Sequence, residues 1–268
     1  MDSEQNRIIQ TKSPVARPAL SIIIPIYNEE DNIHPQWAAL REALAAIDES
    51  CEFLFVDDGS TDTSSVKLFE IAATDPRIRI LQLSPNTGQS AAFEAGFQAS
   101  KGKWVVTMDG DLQNDPQDIL TLLSHRGESD AICGIRERRH DNWIRRVSSR
   151  VGNGVRNLIT KEEITDTGCS LKILRGDIVR KIRFQQGLHR FIPTLMKMEG
   201  AQGVLEVPVR HQPRHAGRSK YGIRNRIWTG LRDCYGVRWM KSRRQEYTVM
   251  EMTPSGHETQ GMREDRHS

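Results

Sequence analysis

The most constraining feature of the chain is a repeated alternation of short apolar runs with segments of helical spacing. Four strand-like runs, rich in β-branched and aromatic residues, begin at Leu20, Cys51, Ile78 and Trp104. Three helix-like segments separate them, at about residues 33–50, 61–73 and 90–100. This rhythm predicts right-handed crossovers and therefore an α/β fold, with a Rossmann-like, mostly parallel sheet flanked by helices.

Size and composition narrow the class of protein further. The 268 residues are enough for one large α/β domain. A net charge of only +3 argues against a nucleic-acid partner. Four widely spaced cysteines without a CxxC pair indicate reduced, structural thiols. No signal-peptide pattern and no apolar run near ~20 residues is found, so we expect a cytoplasmic protein without a transmembrane span.

The chain divides by composition into four predicted regions. They are a disordered polar lead (1–18), a main domain (19–223), an amphipathic helix (224–244) and a disordered polar tail (245–268). The main domain is predicted to comprise two halves, at about 19–135 and 136–223. Residues 225–241 mix aromatic and basic side chains, which favours peripheral contact with a membrane surface, although a core-packing or dimer-forming helix fits the same pattern.

Ligands of parallel sheets bind beyond the carboxyl ends of the strands, and acidic residues occur there in this sequence. Asp109-Gly110-Asp111 directly follows the fourth run, and Gln113 comes two residues later. Oxygen ligands of this kind suit Mg²⁺ or Mn²⁺, which neutralises a diphosphate. An Asp-Gly dipeptide is also a common turn, and this simpler reading remains open for the motif alone.

Two further polar clusters follow the first and second runs. They read Pro25-Ile26-Tyr27-Asn28-Glu29 and Asp57-Asp58-Gly59-Ser60-Thr61-Asp62. A simpler interpretation of the first cluster is a helix cap with an exposed Tyr27. For the second cluster it is a turn in which Thr61 or Asp62 caps the next helix. Two adjacent carboxylates need compensation, which a base or ribose hydroxyl could supply. Small residues between Gly88 and Gly96 are better suited to close helix packing than to phosphate binding.

Together these motifs resemble the family 2 glycosyltransferases with the GT-A fold, and most closely their dolichyl- or polyprenyl-phosphate sugar synthase branch. The likeness covers roughly residues 20–240, and Gly110 stands where the family usually has Ala. The resemblance implies a nucleotide-sugar site and a site for Mg²⁺ or Mn²⁺. The nucleotide-sugar site would contain Pro25, Tyr27, Glu29, Asp57, Asp109 and Gly110, and the metal site Asp109, Asp111 and Gln113.

The second half of the chain resembles the acceptor side of the same family. The matching segments are Gly134-Ile135-Arg136, Arg145 with Ser149, Asp166-Thr167-Gly168-Cys169, and the basic loop 214–222. Arg146 is a rival to Arg145, and a solvated basic face is the alternative for each arginine. The resemblance implies an acceptor-phosphate site of Arg136, Arg145, Ser149, Arg214, Ser219 and Lys220, with Asp111, Arg136 and Arg214 as catalytic residues.

The leading hypothesis is inverting transfer of a hexose from a GDP- or UDP-sugar to a polyprenyl phosphate, either dolichyl or undecaprenyl, at a membrane surface. An anionic phosphate needs no strong base. A saccharide acceptor, with Asp166 as the base, is the first alternative. A non-catalytic sugar-nucleotide-binding homologue is the second. For His189, both a mechanistic and a structural role are open interpretations. The sequence predicts neither the sugar nor the oligomeric state.

Overall fold

The computed structural model describes residues 17–136, 154, 156–160, 164–212 and 223–243, with side chains from residue 230 onward in the last segment. The strands are β1 (Leu20–Ile26), β2 (Cys51–Asp57), β3 (Ile78–Gln82), β4 (Trp104–Thr107), β5 (Ala131–Arg136), β6 (Lys172–Arg175) and β7 (Leu205–Val209). The helices are α1 (Ile33–Leu44), α2 (Ser64–Thr74), α3 (Gln89–Ala99), α4 (Asp118–Ser124), α5 (Gly176–Val179), α6 (Ile192–Met198) and α7 (Ile223–Arg243), and a 3-10 turn, η1, spans Leu188–Phe191.

All seven strands form one sheet in the order β3-β2-β1-β4-β6-β5-β7. The pairs β1–β2, β1–β4, β2–β3 and β5–β7 are parallel, whereas β6 runs antiparallel to both β4 and β5. The predicted mostly parallel sheet is therefore confirmed. Six strands end at the same edge of the sheet, and β6 begins there.

Helices cover both faces of the sheet, as expected where the strands are buried on both sides. One core contains Trp37, Leu40 and Leu68 of α1 and α2 with Phe53 and Phe55 of β2. The opposite core contains residues of α3, η1, α6 and α7, packed on the other side chains of β1, β2, β4 and β6.

Helix α3 lies close to the sheet, which confirms the packing role predicted for its small residues. A Cβ atom on Gly96 would lie 2.5 Å from Cγ2 of Ile23. A larger side chain there would force α3 away from β1 and disturb the packed core.

The observed elements differ from the predicted ones mainly at helix ends. Helix α1 ends at Leu44 rather than near residue 50, because a turn brings Ile47 back onto the core before β2 begins. Helix α2 begins at Ser64 rather than Thr61, and Thr63 precedes it without a side-chain capping bond. Asp62 is the residue that bonds this helix end, because its Oδ1 accepts the N–H of Ser64 at 2.9 Å.

Several predicted regions fall outside the described residues. These are residues 1–16 of the predicted lead, the whole predicted tail (245–268), and residues 137–153, which include Arg145 and Ser149. Helix α7 occupies the position predicted for an amphipathic helix, while the division into two halves stays a prediction. None of the helices in the described ranges is long and apolar enough to cross a bilayer.

Candidate active site

The three strand-end clusters meet at one edge of the sheet, because β2, β1 and β4 are adjacent and parallel. Ile26 pairs with Asp57, and Ile23 pairs with Thr107. Asn28 joins the first two clusters: its N–H donates to Oγ of Ser60 at 3.0 Å, and its Oδ1 accepts the N–H of Thr61 at 2.8 Å. Asn28 has a φ of 53°, a left-handed conformation that asparagine tolerates better than most residues.

The adjacent carboxylates Asp57 and Asp58 are compensated by donors from the protein itself. Both residues are buried. Asp57 accepts bonds from the N–H of Ser60, at 2.9 Å, and from the hydroxyl of Ser65, at 2.5 Å. Asp58 accepts bonds from the backbone N–H groups of Thr87 and Gly88, at 2.9 and 2.8 Å, and from the amide of Asn86. The pair therefore shapes the loops around the site, and a direct contact between Asp57 and a nucleotide stays a prediction.

Asp109 and Asp111 lie just beyond β4, in the loop that follows it. Oδ1 of Asp109 accepts the side-chain amide of Gln89, the first residue of α3, at 2.7 Å. The N–H of Asp109 donates to Oγ of Ser170 at 3.2 Å. Burial raises the pKa of Asp109, and the negative charge of Asp111 raises it further. The fold therefore holds two like charges close together, an arrangement that a cation would stabilise.

The donor set of this loop fits Mg²⁺ or Mn²⁺. Such ions need only one or two carboxylates when substrate phosphates and water complete the shell. Asp109 and Asp111 supply two carboxylates, and the amide oxygen of Gln113 is a third candidate ligand. No cluster of three or more His, Cys, Asp or Glu ligands occurs in the part of the chain that the structure describes.

The backbone of this loop is strained at Leu112, between the predicted ligands Asp111 and Gln113. Leu112 has a φ of 60°, which is rare for a bulky side chain. Gly110 lies against β1, where a Cβ would be 2.6 Å from Cδ1 of Ile26 and 3.2 Å from the carbonyl oxygen of Pro25. The chain thus turns sharply beside β1, and this turn places Asp111 at the site.

Arg136, at the end of β5, is paired with Asp166. Its Nε donates to Oδ2 of Asp166 at 2.7 Å, and its Nη2 donates to Oδ1 at 2.8 Å. Burial opposes the charge of Arg136, but the bond with Asp166 outweighs it and raises the pKa of Arg136. Glu206 of β7 holds the same loop by accepting the N–H groups of Thr165 and Asp166. Because both carboxylate oxygens of Asp166 accept hydrogen bonds from Arg136, Asp166 is disfavoured as a proton acceptor in catalysis.

The other predicted acceptor residues lie outside the described residues. They are Arg145, Ser149, Arg214, Ser219 and Lys220, together with the rival Arg146. Residues 210 and 212 are described, and they contact residues 113–118, which follow Asp111. Arg210 donates to Asp118 and contacts Asp115 at 3.1 Å, and the N–H of Gln212 donates to the carbonyl of Gln113 at 2.9 Å.

Several residues that surround Asp109 were not predicted from the sequence. Gln89 and Ser170 bond it directly, and Lys172 is buried nearby. Ser90, next to Gln89, bonds Nδ1 of His189 at 2.8 Å. A usable signal for Gln89 was its position at the start of the helix that follows β3. Ser170 and Lys172 gave no local signal, because only the pairing of β6 with β4 brings them to the site.

Two curated relatives are similar to most of this chain. A dodecaprenyl-phosphate galacturonate synthase from Rhizobium johnstonii is 37% identical over 218 residues, which cover 80% of this chain and 64% of that protein. An undecaprenyl-phosphate 4-deoxy-4-formamido-L-arabinose transferase from Edwardsiella ictaluri is 37% identical over 210 residues, covering 76% and 63%. The chain thus spans somewhat less than two thirds of the length of these relatives.

The fold is that of a solved glucosyl-3-phosphoglycerate synthase from Mycobacterium tuberculosis in complex with Mn²⁺ and UDP-glucose. The TM-score is 0.60 at 15% identity, with 90% of this chain and 85% of that chain covered. The predicted GT-A fold is confirmed by this likeness. Residues 21–183 match the family described as Glycosyl transferase family 2. From its motifs, its strand-end site and this match, the chain belongs to glycosyl transferase family 2.

Proposed function

We propose that this protein transfers a hexose from a GDP- or UDP-sugar to a polyprenyl phosphate, with inversion at C1. The observation that carries the proposal is the pair Asp109 and Asp111 at the carboxyl edge of the sheet, in a chain of this family. The names of the two curated relatives, both polyprenyl-phosphate sugar transferases, support the acceptor class.

On the donor side, Asp109, Asp111 and Gln113 would hold Mg²⁺ or Mn²⁺ with the diphosphate. When bound, the ion stabilises negative charge on the departing nucleoside diphosphate. Gln89 keeps one oxygen of Asp109 in a fixed direction, and Ser170 holds its backbone. The loops tied together by Asn28, Asp57 and Asp58 form the adjacent wall, where Tyr27 and Glu29 would contact the nucleotide.

On the acceptor side, an oxygen of the polyprenyl phosphate would attack C1 of the sugar. The bond between C1 and the diphosphate oxygen breaks, and the nucleoside diphosphate leaves with its electron pair. The attacking oxygen is already anionic, so the residues need to position it rather than deprotonate it. Arg136, beside Asp166, would contribute charge at this position, with Arg145, Ser149, Arg214, Ser219 and Lys220 as further phosphate ligands.

A saccharide acceptor would require a base, for which Asp166 is the candidate. Its engagement with both Nε and Nη2 of Arg136 favours the phosphate acceptor. The two acceptor classes are separated by offering each with the same labelled donor.

The exposed face of α7 suits contact with a lipid surface. Tyr235 and Trp239 are both 61% exposed, and the basic residues Arg232, Arg238 and Lys241 are exposed near them. Aromatic side chains at the lipid–water boundary and cations near anionic headgroups both favour such contact. A polyprenyl phosphate would be presented at that surface.

The test is a donor and acceptor screen with the purified protein. UDP-glucose, UDP-N-acetylglucosamine and GDP-mannose are offered with Mg²⁺ or Mn²⁺, and with undecaprenyl phosphate, dolichyl phosphate or saccharides as acceptors. We expect label in the lipid fraction for one donor, and a loss of kcat of about 100-fold or more in Asp111→Asn. Asp48→Asn, which changes an exposed acid, is the matched control. Label only in added saccharides would overturn the acceptor assignment, and full turnover by Asp111→Asn would overturn the metal assignment.

A further inference from the structure

Lys172, the first residue of β6, is a lysine buried inside the fold. It is 2% exposed and pairs with Thr107 of β4 and Cys133 of β5. Lysine is almost never fully buried unless its charge is compensated, because removing an ammonium group from water is strongly unfavourable. Among the described residues, its Nζ donates one hydrogen bond, to the carbonyl oxygen of Cys169, although an ammonium group has three N–H donors.

The strand register places this ammonium beside Asp109. Thr107 is opposite Lys172, and Asp109 lies two residues beyond Thr107 along the chain. Ser170, two residues before Lys172, contacts the N–H of Asp109 through its hydroxyl. Diagonal neighbours of this kind are about 7–8 Å apart at the backbone, within reach of a long side chain. Cys169 adjoins Ser170, so the hydrogen bond from Nζ to the carbonyl of Cys169 directs the ammonium toward Ser170 and Asp109.

The contacts of Asp109 also show which face of the sheet the two residues share. Leu174 of β6 and Val105 of β4 belong to the core on the α3 side of the sheet. Lys172 and Thr107 are two residues from them and point to the same side, since side chains alternate along a strand. Gln89 of α3 reaches Asp109 from that side as well.

Resting on the proposed metal-dependent transfer, we propose that Lys172 is a built-in counter-cation for Asp109 and Asp111, which weakens binding of a free divalent cation and makes that binding depend on the nucleoside diphosphate. A divalent ion alone is attracted by two carboxylates and repelled by the ammonium. With the diphosphate present, added negative charge outweighs that repulsion. The pKa of Asp109 accords with this arrangement, since burial and Asp111 raise it and Lys172 opposes them.

A purely structural role for Lys172 makes a different prediction. If Lys172 only holds the 166–170 loop through the carbonyl of Cys169, then removing its charge changes stability and leaves the intrinsic metal affinity unaltered. The amide of a glutamine can still donate a hydrogen bond to that carbonyl, whereas it carries no charge. Lys172→Gln therefore separates the charge from the hydrogen bond, and Lys172→Arg retains the charge.

The experiment measures Mn²⁺ binding by electron paramagnetic resonance at pH 8, with Mn²⁺ alone and with UDP or GDP added. We expect Lys172→Gln and Lys172→Met to bind Mn²⁺ alone about tenfold or more tightly than the parent, with a smaller gain on adding nucleotide. Lys172→Arg and the exposed-site control Lys101→Met should match the parent.

Unchanged or weaker binding of Mn²⁺ alone by Lys172→Gln would overturn the role of Lys172 while leaving the proposed function intact. Absence of Mn²⁺ binding by the parent even with UDP and GDP would overturn the metal site itself, and the counter-cation with it. Lys172→Gln keeps the test decisive if Lys172→Met does not fold, since the glutamine preserves a hydrogen-bond donor at the buried position.

Discussion

Acidification should destabilise the protein through His189, which the fold holds in its neutral form. The N–H groups of Gly187 and His189 donate to Oγ of Ser90 at 3.1 and 3.4 Å. With both lone pairs of Ser90 in use, its hydroxyl proton is donated to Nδ1 of His189 at 2.8 Å. A proton on Nδ1 would break that bond. Burial, Arg190 and Lys172 lower the pKa of His189 from 6.5 to about 3.

The size and sign of the effect follow from proton linkage. The unfolded chain binds a proton at His189 below about pH 6.5, whereas the folded chain does so only near pH 3. The stabilisation is therefore complete above pH 6.5 and is lost progressively as the pH falls toward 3. Between pH 7 and pH 4.5 this corresponds to about 2.5 kcal/mol of unfolding free energy, with a limit of about 5 kcal/mol at lower pH.

The assay is urea unfolding of the parent and of His189→Gln at a series of pH values. Carboxylates contribute to both curves, so the difference between them isolates the histidine. We expect His189→Gln to be less stable than the parent at pH 7 and to lose about 2.5 kcal/mol less on moving to pH 4.5. His34→Gln, which removes an exposed histidine paired with Glu70, should retain the full acid-induced loss because His189 remains. Parallel curves for the parent and His189→Gln would show that His189 does not cause the acid-induced loss of stability.

Three further substitutions test the loops around the site. Asp58→Ala removes the acceptor for Thr87 and Gly88 and should lower the unfolding free energy by about 2–3 kcal/mol in urea titrations; a loss below about 0.5 kcal/mol would contradict its structural role. Leu112→Val should lower the unfolding free energy by about 1–2 kcal/mol, because a β-branched side chain is disfavoured at a φ of 60°. Leu112→Asn should lower it less in the same titration. The reverse order would argue against backbone strain at Leu112. Asp166→Asn leaves Arg136 partly unpaired and should lower thermal stability. It should also raise KM for the lipid acceptor more than it lowers kcat. A selective loss of kcat would instead support Asp166 as a base.

Local pattern in the sequence was sufficient for the first half of the sheet. The first residues of the strands Leu20–Ile26 and Cys51–Asp57 were predicted correctly, because buried parallel strands are continuous apolar runs. The acids of Asp109 and Asp111 were predicted to lie at a strand end, and they do. Where a strand begins, and which residues follow its end, depends mainly on neighbours in the chain, so both can be predicted from the sequence.

The partners of those acids depended on the tertiary structure. Strand β6 runs antiparallel between β4 and β5, and no local pattern indicates which strands it joins. Its insertion brings Ser170 and Lys172 to Asp109, while the packing of α3 brings Gln89. Likewise, the donors that satisfy Asp58 come from a loop about thirty residues away.

The parallel α/β framework, the family and the acidic residues at the edge of the sheet were all predicted from the sequence. The side chains around those acids, the pairing of Asp166 with Arg136, and the burial of Lys172 near Asp109 became visible in the folded chain. Strand and helix patterns arise from short-range periodicity, whereas the charges and hydrogen bonds around a buried group come from residues distant in the chain.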